Sequence, residues 1–86
     1  MQEFITDNNT SIIVYTICGI EIITTLYDEE NILCCVYNTE NELICIFTLW
    51  MVGGRYNYNV LKNIKKVKTT FIEDVVEKLV IKIMEL

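Results

Sequence analysis

The chain contains no histidine and no proline, and no alanine occurs anywhere along it. Without histidine it lacks the commonest general base and the commonest transition-metal ligand, which removes His-dependent catalytic triads and His-based zinc sites. The four cysteines, Cys18, Cys34, Cys35 and Cys45, include no C-x-x-C pair, and adjacent Cys34 and Cys35 point to opposite faces of any strand. They are expected to be small buried hydrophobes in a reducing compartment rather than a thiolate metal cage. No metal and no cofactor is expected.

Basic residues are missing from the whole of residues 1–54. That stretch holds Glu3, Asp7, Glu21, Asp28, Glu29, Glu30, Glu40 and Glu42 and not one Lys or Arg. Residues 55–86 hold Arg55, Lys62, Lys65, Lys66, Lys68, Lys78 and Lys82 against Glu73, Asp74, Glu77 and Glu85. The net charge of −5 is therefore the difference between a strongly acidic part and a mildly basic one, with the boundary at Gly53-Gly54-Arg55. Long uncharged runs are also lacking: Asn8–Ile20 and Leu43–Gly54 are too short to span a bilayer as a helix. No basic region precedes the first apolar run, so a secretory signal is not expected and the cytoplasm is the expected compartment.

With 86 residues there is room for one small domain, which excludes a cofactor fold joined to a substrate domain. Yet the hydrophobic fraction is 52% and the mean hydropathy +0.35, high for a chain whose surface-to-volume ratio demands polar cover. The wealth of Ile, Asn, Lys and Tyr, with no Ala, matches AT-rich codons and suggests a phage or another mobile element as the source. In that case the compartment is the host cytoplasm.

Apolar, β-branched runs at roughly Glu3–Thr6, Ser11–Cys18, Ile20–Tyr27, Asn31–Tyr37 and Glu42–Trp50 alternate with polar breaks rich in Asn, Asp and Glu. This is the pattern of an antiparallel meander. Gly19 is either a tight turn or a bulge. Registering the third hairpin about Thr39-Glu40 sets Cys34 opposite Cys45. It collects Ile23, Thr25, Ile32, Cys34, Val36, Leu43, Cys45, Phe47 and Leu49 on one face, and Ile22, Leu26, Leu33, Cys35, Tyr37, Ile44, Ile46 and Trp50 on the other. Both faces are apolar, whereas a meander with one solvated face alternates with polar residues.

After Gly53-Gly54 the periodicity changes. Leu61, Ile64 and Val67 fit a short helix over 60–68, or a strand with basic residues outward. Thr70-Phe71-Ile72-Glu73 has capping-box spacing and opens a helix from about Phe71 to Met84. Its stripe is Ile72, Val75, Val76, Leu79, Ile83 and Leu86, and Asp74 and Lys78 form an i,i+4 pair on its polar side. The expected fold is α+β: one domain over 1–86, with an antiparallel meander of four to five strands in 1–52. A basic segment and one or two C-terminal helices packed on one face fill 55–86. One such helix can cover one face, so the second is expected to be buried in a homodimer or against a partner.

Three functional classes compete. No residue set supplies an activated nucleophile, a metal cage or a tuned acid–base pair, so an enzyme is not expected. A non-catalytic inhibitor or adaptor would offer Asp28, Glu29, Glu30, Glu40 and Glu42 as an acidic patch for a basic protein surface, one of the kind that holds nucleic acid. It would dock through Tyr37, Ile44, Ile46 and Trp50. Small acidic proteins of mobile elements that block host nucleases, anti-CRISPR proteins among them, resemble it in size and charge; the likeness is one of class, with no motif behind it. The alternative is a small dimeric nucleic-acid-binding protein that uses Arg55, Lys62, Lys65, Lys66 and Lys68 on phosphates beside Tyr56 and Tyr58. The overall acidity disfavours that alternative.

Overall fold

The computed structural model describes residues 2–5, 11–26 and 31–85. Among the described residues six strands, β1 (Gln2–Ile5), β2 (Ser11–Ile17), β3 (Ile20–Leu26), β4 (Asn31–Tyr37), β5 (Leu43–Val52) and β6 (Arg55–Asn63), precede one helix, α1 (Thr69–Met84). The strands form a single antiparallel sheet in chain order. The α+β meander is as expected, with one strand more than the four to five expected and a single helix.

The extra strand comes from the glycine pair. Gly53 (φ 58°) and Gly54 (φ 79°) are both left-handed between paired Val52 and Arg55, which is the two-residue hairpin whose twist matches that of the flanking strands. The chain therefore turns straight back along β5, and residues 55–63 are strand, not the start of a helix over 60–68. Cys18 (φ 51°) and Gly19 (φ 81°) do the same between paired Ile17 and Ile20, so Gly19 belongs to a tight turn.

Two registers differ from expectation. In the third hairpin Tyr37 pairs with Leu43, and Val36 then pairs with Cys45, so Ile44 is absorbed as an extra residue and Cys34 lies opposite Phe47 instead of Cys45. Asn38 imposes this turn: its Oδ1 accepts from the backbone N–H of Glu40 at 3.0 Å and of Glu42 at 2.9 Å, and its own N–H donates to the Glu42 carbonyl. In β3 the faces are inverted. Ile22 pairs with Val36 and Thr24 with Cys34, leaving Ile23 and Thr25 on the face assigned above to Ile22. An Ile-Ile pair gives periodicity nothing to choose by, and a one-residue slip exchanges the faces.

One face of the sheet carries the core. Tyr15, Ile17, Ile22, Cys34, Val36, Ile44, Cys45, Phe47 and Leu49 form a single cluster with Ile72, Val75, Val76 and Leu79 of α1. Phe47 and Tyr58 meet edge to face, with centroids 6.4 Å apart, and the buried Thr24 hydroxyl donates to the Ile13 carbonyl at 2.9 Å. The expected capping box does not form, because Lys68 is the N-cap and makes no side-chain cap bond. Entry to the helix is held instead by Asn63. Its Nδ2 donates to the Val67 carbonyl and its Oδ1 accepts the Val67 N–H, both at 2.9 Å. The Asp74–Lys78 pair is present at 3.0 Å.

The helix is bound to the sheet by its buried stripe, so truncating that stripe should be costly and truncating its far side should not. Leu79→Ala should lose about 3 kcal/mol of stability in a urea melt. Ile81→Ala, at a side chain that is 51% exposed, should stay within about 0.5 kcal/mol.

Candidate functional site

The opposite face of the sheet is assembled by the same register. Val14, Ile23, Cys35, Ile46 and Lys62 form one cross-strand row, and Ile12, Thr25, Leu33, Thr48 and Asn59 form the next. Thr16, Glu21 and Tyr37 flank them on one side, and Asn31, Trp50 and Asn57 on the other. Ile12, Val14, Ile23, Leu33, Cys35, Ile46 and Trp50 are half-buried. None of them belongs to the core cluster or packs against it. The helix α1 packs on the other side of the sheet. Between β2 and β5 the face holds no charge except Glu21 at its border.

Of the expected apolar interface residues, Tyr37, Ile46 and Trp50 lie on this face and are half-buried. Ile44 does not serve: the irregular pairing beside Tyr37 turns it inward, and it is 6% exposed within the core cluster. Sequence reasoning also missed Ile12, Val14 and Ile23. The signal for Ile12 and Val14 was the unbroken apolar run Ile12-Ile13-Val14-Tyr15, which puts apolar residues on both faces of β2.

Of the expected acidic patch, Glu40 and Glu42 fall among the described residues. Asp28, Glu29 and Glu30 lie outside them. Glu40 and Glu42 sit in the turn that follows Tyr37, at the far end of β4 from its first residue, Asn31. Glu42 is already engaged: its Oε2 accepts from the Lys65 ammonium at 3.0 Å and its Oε1 from the Asn38 amide at 3.2 Å. These hydrogen bonds, Lys65 first, hold its carboxyl below the ordinary value of 4.5.

The basic residues are dispersed. Arg55 opens β6 and Lys62 stands near its end, roughly 23 Å apart at the rise of a strand. Lys65, Lys66 and Lys68 follow in the loop, where Lys66 is left-handed (φ 50°) and Lys65 is bound to Glu42. The alternation of β6 puts Tyr56 and Tyr58 on the core side, packed against the core cluster, and Arg55, Asn57 and Lys62 on the other. Lys62 and the tyrosines thus lie on opposite faces, whereas Arg55 also borders the groove that Tyr56 and Tyr58 line.

The thiols do not converge. Cys34 and Cys45 are buried on the core side, Cys35 stands on the opposite face and Cys18 is exposed in the β2–β3 turn. Burial pushes Cys34, Cys35 and Cys45 above the usual thiol range, which disfavours the reactive thiolate.

Concavities also occur among the described residues. One, of about 250 Å³, is lined by Ser11, Ile13, Tyr15, Thr24, Leu26, Ile32 and Ile83. Another is an open groove of about 530 Å³ between α1 and β6, where Tyr56, Tyr58, Val80, Ile81 and Met84 meet Arg55, Glu73 and Glu77. Comparison of the chain with protein-family models, with curated proteins and with solved structures found no match. The reading of its function therefore stands on the geometry alone.

Because the folded state depresses the Glu42 carboxyl, the stability it contributes is present above the unfolded-state value and is lost as pH falls through the folded one. A carboxyl-detected NMR titration should place the Glu42 midpoint below 4.5. Lys65→Met should raise that midpoint, and an unmoved midpoint in the variant would refute the pairing.

Proposed function

We propose that this chain is a non-catalytic protein–protein interaction module that docks through the uncovered apolar face of its sheet. The observation that carries the reading is the set Ile12, Val14, Ile23, Leu33, Cys35, Ile46 and Trp50, contiguous by register and separate from the core. Soluble proteins seldom leave an apolar surface of this extent without an occupant. Trp50, half-buried beside Asn31 and Asn57, is the aromatic anchor of the face, the residue type most enriched where binding energy concentrates.

The inhibitor or adaptor role expected from the charge pattern keeps its place in this reading, with a change of surface. Apolar contact supplies the affinity. The acidic side chains Glu40 and Glu42 stand at the end of β4, where they can bias encounter toward a basic partner. A cytoplasmic protein of a phage or mobile element that occupies a host protein's surface is the setting that composition and charge suggest.

Replacing Trp50 with the photoreactive p-benzoylphenylalanine tests the surface directly. Irradiation should yield a covalent adduct from position 50 and none from the same substitution at Ile81, which lies on the helix side. No adduct at position 50, or equal adducts at both positions, would overturn the assignment.

A further inference from the structure

Resting on that docking face, we infer that its occupant is a second copy of this chain, joined by a two-fold axis that passes over Cys35 and between Thr25 and Leu33. The area supports this. Six strands about 4.8 Å apart and about seven residues long at roughly 3.3 Å each give a face near 29 by 23 Å, about 650 Å² before corrugation. A specific interface buries about 800 Å² per partner, so one such face pressed on another comes close to a whole interface without help from loops. Two antiparallel sheets packed face to face are a common layer arrangement, with interdigitating side chains filling a core about 10 Å thick.

The charges select the partner. The chain carries −5 overall, but among the described residues the strand positions of this face carry Glu21 against Arg55 and Lys62, all at its margins. These strand positions are therefore near neutral, and a second copy meets them with the same balance. Register fixes how the margins would meet. Glu21 stands on β3 one row before Ile23, and Lys62 stands on β6 in the row of Ile23, Cys35 and Ile46. On a grid of about 4.8 Å between strands and about 6.8 Å between rows, the line that exchanges Glu21 with Lys62 runs within about 1 Å of the Cys35 position. It then passes midway between Thr25 and Leu33. The centre of the apolar face and the axis that pairs its opposite charges thus coincide, and a self-complementary patch of this kind is what a two-fold interface requires.

The test is sedimentation equilibrium on the purified chain and its variants, with circular dichroism as the check on folding. Wild type should form a dimer. Glu21→Lys and Lys62→Glu should each weaken it at least about fivefold by setting two like-charged pairs across the axis, and the double swap Glu21→Lys with Lys62→Glu should restore most of the loss. Leu33→Lys, beside the axis and outside the core, should give a folded monomer. Cys35 should become protected from maleimide as concentration rises, while exposed Cys18 continues to react. A wild type that stays monomeric at every concentration would overturn the inference, as would single swaps without effect or a double swap that is no better than the singles. A monomeric wild type that still gave a position-50 adduct with another protein would refute the second copy and leave the docking face standing.

Discussion

Everything in this molecule follows from a sheet that is apolar on both sides and has one helix to cover them. Sixteen residues of α1 extend about 24 Å, enough for one face of six strands and no more. The choice of face is made by side-chain pairing. The register that joins Phe47 to Cys34 and Val36 to Ile22 gathers four of the most completely buried side chains into the cluster that α1 completes. What remains on the reverse is a largely apolar surface outside the cluster that α1 joins. Its uncharged centre makes water a poor occupant, since its apolar area is worth roughly 25 cal/mol per Å² on removal from solvent.

The turns convert that composition into geometry. Cys18-Gly19 and Gly53-Gly54 are left-handed pairs that return the chain after two residues, so β2 with β3 and β5 with β6 pair along nearly their full lengths. Asn38 holds the third hairpin with its side chain and forces the extra residue at Ile44. That local event carries Ile44 into the core and keeps Cys35, Ile46 and Leu33 together on the reverse. Local hydrogen bonding by one asparagine therefore helps decide which apolar residues the docking face contains.

Much of this was legible in the residues. Runs of β-branched side chains between Asn- and Asp-rich breaks mark the meander, and the 3.6-residue stripe of Ile72, Val75, Val76 and Leu79 marks the helix. The surplus of apolar residues on both strand faces marks the exposed side. What periodicity could not resolve were positions where neighbours are alike: Ile22 and Ile23 differ in face only through pairing with β4. The alternation Tyr56-Asn57-Tyr58-Asn59 in fact marks β6, but periodicity could not reveal the Asn63 clamp that replaces a Thr70 cap. Nor could composition show that Glu42 is bound to Lys65 across 23 positions of sequence.

The central claim is that the face opposite α1 is covered in solution. The most direct measurement is solvent paramagnetic relaxation of methyl signals at high protein concentration, comparing Ile12, Ile23, Leu33 and Ile46 with Ile81 and Met84. The account predicts that the first four are shielded from a soluble paramagnetic probe while Ile81 and Met84 relax freely. Equal relaxation across both sets would contradict it.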